Sequence, residues 1–268
     1  MSQKNNTPVV LIIGGSDSGG GAGIQADLRV MNAYGIAGAC AITGATAQNP
    51  SAVRALNLLA PGRVANQIDA ILEDINIAAI KIGMLGSVAI ARVVAARIKT
   101  CAVPIVLDPV LIATSGGSLL SVAGLRFVRD RLMPMCSILT PNIPEAAALL
   151  GAPLGTEKQR DAAVQRLRAI GAEAVLLKGG HARGARLTDL YADSAGVMRL
   201  QAHRLPILTH GTGCTFASAI AAELALGRSG ADAVTRAHAY LQAALRQPLR
   251  MGRLGVCSPG MANVISHS

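Results

Sequence analysis

The feature that most constrains this chain is a regular alternation of short apolar runs, rich in β-branched residues, with longer amphipathic stretches. The runs end on glycine or small polar residues. Pro8–Ile13 runs into Gly14-Gly15-Ser16-Asp17, Ala79–Ile82 into Gly83-Met84, and Pro104–Leu107 into Asp108-Pro109. Cys136–Leu139 runs into Thr140-Pro141-Asn142, and Ala174–Leu177 into Lys178-Gly179-Gly180-His181. Such runs are expected to form strands buried on both faces, and the stretches between them helices. Helices are expected over 23–34, 64–74, 88–99, 119–132, 145–150, 156–170, 214–226 and 231–246. Further strands are expected over 37–47 and 52–59, with a polar hairpin over 187–205. The alternation predicts an α/β fold with a mainly parallel central sheet and helices on both faces. Sheets of this kind bind ligands beyond the carboxyl ends of their strands. The polar tails named above, with Gln48-Asn49, are therefore expected to converge on one site.

A length of 268 residues suits one domain over 1–268, with a polar tail at 1–7 and an irregular tail at 248–268, since no linker divides the chain. The chain is 51% hydrophobic but has two Phe, three Tyr and no Trp, so Ala, Val, Ile and Leu must build the core. That scarcity argues against single-stranded nucleic acid, which needs aromatic stacking platforms. The net charge of +10 comes from arginines scattered singly, which suits a solvated surface with some attraction for anionic substrates and no nucleic-acid partner. Five cysteines, an odd number without CxxC spacing, fit a reducing compartment. No uninterrupted apolar stretch suits a signal peptide or a membrane span, so a cytoplasmic protein with no membrane partner is expected. The oligomeric state, a homodimer included, is left open.

Two glycine segments stand out. The first, Gly14 to Gly23, is neither a dinucleotide fingerprint nor a P-loop, because no Lys-Ser/Thr follows its last glycine. It reads as a place where backbone meets a ligand, or as a flexible turn. The second, Thr209-His-Gly-Thr-Gly-Cys-Thr215, opens a helix. Gly211, Thr212, Gly213 and Cys214 would there present unpaired N–H groups and the positive end of a helix dipole, an anion hole suited to a phosphoryl group in transfer. Cys214 lies where a thiol pKa is lowered and could accept a proton, or it is a small packing residue. His210 is either part of the site or a local hydrogen-bonding residue.

Asn142-Ile-Pro-Glu145 could share the water shell of Mg²⁺, and a helix cap explains the same spacing equally well. Asp108 is a plausible second carboxylate in that shell. Lys178 could meet nucleotide phosphates or be an ordinary exposed lysine.

Taken in order, these segments resemble the hydroxymethylpyrimidine/phosphomethylpyrimidine kinases of thiamin biosynthesis, within the ribokinase-like superfamily. The carriers are Gly14–Leu28, Ala47-Gln-Asn49, Lys81-Ile-Gly-Met-Leu85, Leu107-Asp-Pro-Val110, Thr114-Ser-Gly116, Leu139–Glu145, Lys178–His181 and His210–Thr215. The resemblance implies a three-layer ribokinase-like fold and two successive phosphorylations using ATP and Mg²⁺. The first acts on 4-amino-5-hydroxymethyl-2-methylpyrimidine, the second on its monophosphate. It implies that Gly15, Asp27, Gln48, Met84 and Val110 surround the pyrimidine, that Asn142 and Lys178 meet ATP, and that Asp108 and Glu145 serve the metal. Cys214 then stands where many relatives carry an aspartate base, with Gly211, Thr212 and Gly213 around the phosphoryl group. The segment Gly252–Asn263 keeps only traces of the family's glycine-rich ending. Pyridoxal kinase activity, or a non-catalytic pyrimidine sensor, are the alternatives.

Overall fold

The computed structural model describes residues 7–49, 52–111, 120–181, 184–205, 209–251 and 254–257. The apolar runs become the strands of a nine-stranded sheet in the order β3-β2-β1-β4-β5-β6-β7-β8-β9. β1 (Val9–Asp17), β2 (Ala37–Asn49), β4 (Ala79–Ile82), β5 (Ile105–Leu107), β6 (Ile138–Leu139) and β7 (Ala174–Leu177) run parallel. β3 (Ala52–Leu58) pairs antiparallel to β2 at one edge; β8 (Arg186–Asp193) and β9 (Gly196–His203) form the expected hairpin at the other.

Alternation along the strands feeds two cores. Leu11, Ile13, Ile80, Ile82, Leu107, Val175 and Leu177 face one layer, with α2 (Pro61–Asp74), α3 (Val88–Ile98), α5 (Ile143–Leu150) and α6 (Glu157–Ile170). Val10, Ile12, Val106, Ile138 and Leu176 face the other, with α1 (Gly23–Ala33), α7 (Thr212–Ala225) and α8 (Gly230–Arg246). Alanines Ala217, Ala219, Ala221 and Ala222 let α7 lie close to the sheet despite the lack of aromatics.

Three expectations change. The helix expected over 119–132 starts only at Val122, where the Ser121 hydroxyl accepts from the Gly124 N–H. It runs as α4 (Val122–Phe127), a π-helical turn Val128–Leu132 and a 3₁₀ turn Met133–Met135. Pro134 lacks the N–H that a continuing helix needs. The tail expected to be irregular from 248 instead forms β11 (Leu249–Met251) and β12 (Leu254–Val256), in a small sheet with β10 (Thr209–His210). β1 and β2 also run on through Asp17 and Asn49, so their glycine and polar tails begin as strand, with a register shift between Gly14 and Gly15. The Thr114-Ser-Gly116 motif and the stretch from Ser258 lie outside the described residues. Among the described residues, no helix is long and apolar enough to cross a membrane.

Candidate active site

β1 pairs with β2 on one side and β4 on the other, so the strand order reverses there and opens a crevice beyond their carboxyl ends. A cavity of about 800 Å³ occupies it. The residues given individual roles line it: Gly15, Asp27, Gln48, Met84, Asp108, Val110, Asn142, Glu145, Lys178, Gly211, Thr212, Gly213 and Cys214. Of the polar tails expected to converge there, Asn49, Gly83, Pro109, Thr140, Pro141 and Gly179 do not line it. Close approach explains Gly15: a β-carbon there would overlap the end of Met84, so the glycine lets Met84 lie across β1.

The floor is a buried ion pair. Lys81 on β4 is 1% exposed, and its Nζ donates to Asp27 on α1 at 3.0 and 2.9 Å. The Ser218 hydroxyl on α7 donates to Asp27 Oδ1 at 2.7 Å. Both Asp27 oxygens are thus already engaged at the cavity wall. Burial pulls the Lys81 ammonium down, but the charges of Asp27, Cys214 and Asp108 and the hydrogen bond to Asp27 together outweigh it and hold the pKa above the usual lysine value. A lysine inside a four-residue strand, all of it buried, requires such a partner, and that was the available signal for a site residue not singled out by role.

Beyond the floor, Lys178 Nζ donates to Asp108 Oδ1 at 2.7 Å, and the Thr140 hydroxyl reaches the same oxygen at 3.2 Å. Lys178 is only 14% exposed, so it is not an ordinary surface lysine. Asn142 and Glu145 form a complete capping box on α5: Asn142 Oδ1 accepts from the Glu145 N–H at 2.9 Å, and Glu145 Oε2 accepts from the Asn142 N–H at 2.8 Å. The cap engages one oxygen of each side chain while leaving both at the cavity wall. Burial pushes the Glu145 carboxyl up to about 7, with Lys178 opposing and Asp108 adding to the rise. Among the described residues, no three His, Cys, Asp or Glu side chains gather into a metal cage. Asp108 and Glu145 nonetheless suit Mg²⁺, which is commonly held by one or two carboxylates plus water and phosphate oxygens.

α7 begins at Thr212 after Gly211, which has φ +84° and supplies no side-chain cap. A β-carbon at Gly211 would overlap the Gly21 carbonyl. The first intrahelical bond runs from the Thr215 N–H to the Gly211 carbonyl at 2.9 Å, so the N–H groups of Thr212, Gly213 and Cys214 have no partner within the helix. They lie beside Lys178, whose Nζ is 3.4 Å from where a Gly213 β-carbon would stand.

The expectation of a lowered Cys214 pKa is overturned. Burial pushes the thiol up to about 11, and the opposing Lys81 charge is too weak to reverse it. The helix terminus stabilises a thiolate only if desolvation does not cost more.

The first glycine segment folds around Asp17. Asp17 Oδ1 accepts from the Gly19 N–H at 2.8 Å, and Oδ2 accepts from those of Gly21 and Ala22 at 3.0 and 2.8 Å. His210 Nε2 lies 3.4 Å from the same Oδ2 and 2.7 Å from the Gln48 side-chain amide. Burial raises the Asp17 pKa, but the bonds from His210, Ala22 and Gly19 outweigh it and hold the carboxyl below the usual range. Sequence reasoning left Asp17 without a role and His210 ambiguous. It also missed lining residues from the hairpin and from α8, among them Leu187, Ala202, Leu205, Leu241 and Leu245. Leucines and alanines in a hairpin and a helix carry no chemical signature of their own.

The chain matches the family model for phosphomethylpyrimidine kinase over residues 17–257. It is 44% identical to the hydroxymethylpyrimidine/phosphomethylpyrimidine kinase of Salmonella typhimurium over 88% of this chain and 90% of that one. It is 42% identical to the thiamine biosynthesis bifunctional protein ThiED of Geobacter sulfurreducens over 91% of this chain, and spans 50% of that longer protein. The crystal structure of phosphomethylpyrimidine kinase from Clostridium difficile matches at a TM-score of 0.79 and 35% identity, over 89% of this chain and 99% of that one. Pyridoxal kinase from Staphylococcus aureus, in complex with AMP-PCP and pyridoxal, matches at 0.88 and 29% identity over 97% and 96%. The uncapped helix terminus, the paired Lys178 and the crevice beyond the strands therefore sit in a ribokinase-like enzyme, and the chain belongs to the phosphomethylpyrimidine kinase family.

Proposed function

We propose that the protein transfers phosphate from ATP to the 5-hydroxymethyl group of 4-amino-5-hydroxymethyl-2-methylpyrimidine, and then to the resulting monophosphate, in thiamin biosynthesis. The observation that supports this reading is that the uncapped α7 terminus and Gly15, Gln48, Met84 and Val110 line one and the same cavity.

In this reading Met84 and Val110 contact the faces of the ring, and Gln48 meets its polar edge. The N–H groups of Thr212, Gly213 and Cys214 stabilise charge gathering on the phosphoryl oxygens, in a site where those dipoles are already oriented. Lys178 and the Asn142 amide meet the nucleotide phosphates. Asp108 and Glu145 would hold Mg²⁺, which would neutralise phosphate charge. A thiol near pKa 11 keeps its proton at neutral pH, so we assign Cys214 to orienting the acceptor hydroxyl.

A second reading, phosphorylation of pyridoxal, draws on the likeness to a pyridoxal kinase. Mass spectrometry of products formed with MgATP and either acceptor separates the two. The reading expects one and two phosphates added to hydroxymethylpyrimidine, with pyridoxal a poorer acceptor. Neither acceptor gaining phosphate would overturn it.

A further inference from the structure

Gln48 can offer a ligand a donor, through its NH₂, or an acceptor, through its carbonyl oxygen. Its neighbours decide which. The amide nitrogen, Nε2, is placed 2.7 Å from His210 Nε2. At that distance one partner donates and the other accepts. Either the amide NH₂ donates to a bare imidazole nitrogen, or the amide is turned by half a rotation and its oxygen accepts from Nε2–H. The two amide orientations have nearly the same shape, so only the hydrogen-bond network chooses between them.

Asp17 makes the choice. Its Oδ2 stands 3.4 Å from the same Nε2, and both residues are buried, Asp17 to 4% and His210 to 6% exposure. The carboxylate accepts three backbone N–H groups, which favour its ionised form. A bare nitrogen lone pair facing an anion at this range is repelled, whereas an N–H is attracted. The proton on Nε2 is thus favoured in both the neutral and the cationic imidazole. With Nε2 donating, Gln48 turns its oxygen to His210, and its NH₂ is what remains for the cavity it lines.

We propose that Asp17 and His210 are positioning residues that hold the Gln48 amide with its NH₂ toward the substrate, so that the enzyme selects a ring with an acceptor nitrogen at that edge. The proposal rests on the kinase reading above and deepens it. Gln48 would then recognise a ring nitrogen of the aminopyrimidine rather than its exocyclic amine. The backbone bonds that lock Asp17 supply the rigidity, because they fix one end of the relay to the loop before α1.

The test compares three acceptors with MgATP: hydroxymethylpyrimidine, its analogue with the ring nitrogen beside the amino-bearing carbon replaced by CH, and its analogue lacking the amino group. In the wild type, loss of the ring nitrogen is expected to lower kcat/KM roughly tenfold or more, the scale of one lost hydrogen bond to a buried site. In His210→Phe the amide is free to turn. KM for hydroxymethylpyrimidine should rise about tenfold, kcat should change less than about threefold, and the ring-nitrogen penalty should shrink. His210→Gln, which restores a donor, should restore part of the penalty. An unchanged penalty in His210→Phe overturns the proposal. A direct readout that needs no catalysis is the ¹⁵N spectrum of the wild-type imidazoles, with His210 assigned by its loss in His210→Gln. Protonated Nε2 is expected, and a bare Nε2 overturns the proposal even if the variants are inactive. Failure of the kinase reading looks different: the wild type then forms no phosphorylated product from any of the three acceptors.

Discussion

The two glycine segments look alike in sequence and do opposite things with their backbone N–H groups. In the segment from Gly14 to Gly23, those of Gly19, Gly21 and Ala22 are bonded to Asp17, so the loop closes on its own carboxylate. In the segment around Gly211, the N–H groups of Thr212, Gly213 and Cys214 have no partner within the helix, and the three residues line the cavity. Glycine richness alone therefore does not make a phosphate cradle. The distinction is whether the chain supplies its own anion.

The two segments touch where the Gly21 carbonyl meets Gly211, and the largest expected effect lies there. Gly211→Ala should lower kcat/KM for ATP more than about 100-fold and destabilise the fold by about 2 kcal/mol or more, since it adds steric overlap to an unfavourable φ. Near wild-type kinetics would break the claim that this contact sets the site. Lys81→Met should cost about 3–5 kcal/mol of stability in denaturant unfolding by leaving Asp27 buried without its ion partner. Pairing it with Asp27→Leu should recover much of the loss.

Asp17→Asn tests the closed loop. It should cost about 2 kcal/mol near neutral pH, the scale of hydrogen bonds to a charged group. The folded-state pKa of Asp17 lies below its unfolded value of 3.8. Between those two values the unfolded state binds more protons, so the stabilising contribution is full above 3.8 and is lost as pH falls through the folded value. The gap between wild type and variant, followed by urea unfolding, should be level at higher pH and narrow below 3.8. A gap that widens on acidification would refute the sign.

Gly213→Ala probes the open loop alone. Alanine favours helix at this position, so Tm should hold, while KM for ATP rises about tenfold as the methyl takes up space beside Lys178 that a phosphate would use. The smallest effect concerns Cys214. With its thiol near 11, alkylation by iodoacetamide at pH 7.5 should be slow, and its rate should still be climbing above pH 9. A rate that levels off below pH 8 would restore the thiolate reading.

Most of the architecture was legible because strand burial and helical period are local properties. The run Ala174–Leu177 can only satisfy its side chains between two layers, and Lys178 follows it wherever the strand ends. The break after Phe127 and the pairing of β12 with β10 were not legible. The first depends on how α4 meets its neighbours, and the second joins segments more than forty residues apart. Among the site residues, Asn142 and Glu145 show that one spacing can serve both a cap and a cavity wall.

By itself, the sequence determined the parallel sheet, the crevice beyond its strands and the strand-end residues that line it, because strand periodicity and topology bring those tails together without reference to detail. Only the tertiary structure decided their electrostatic states. Asp27 became the partner of Lys81, Asp17 became the anchor of His210, and the Cys214 thiol was pushed up rather than down. Charge depends on solvent access and on neighbours from distant segments, and neither exists until the chain has folded.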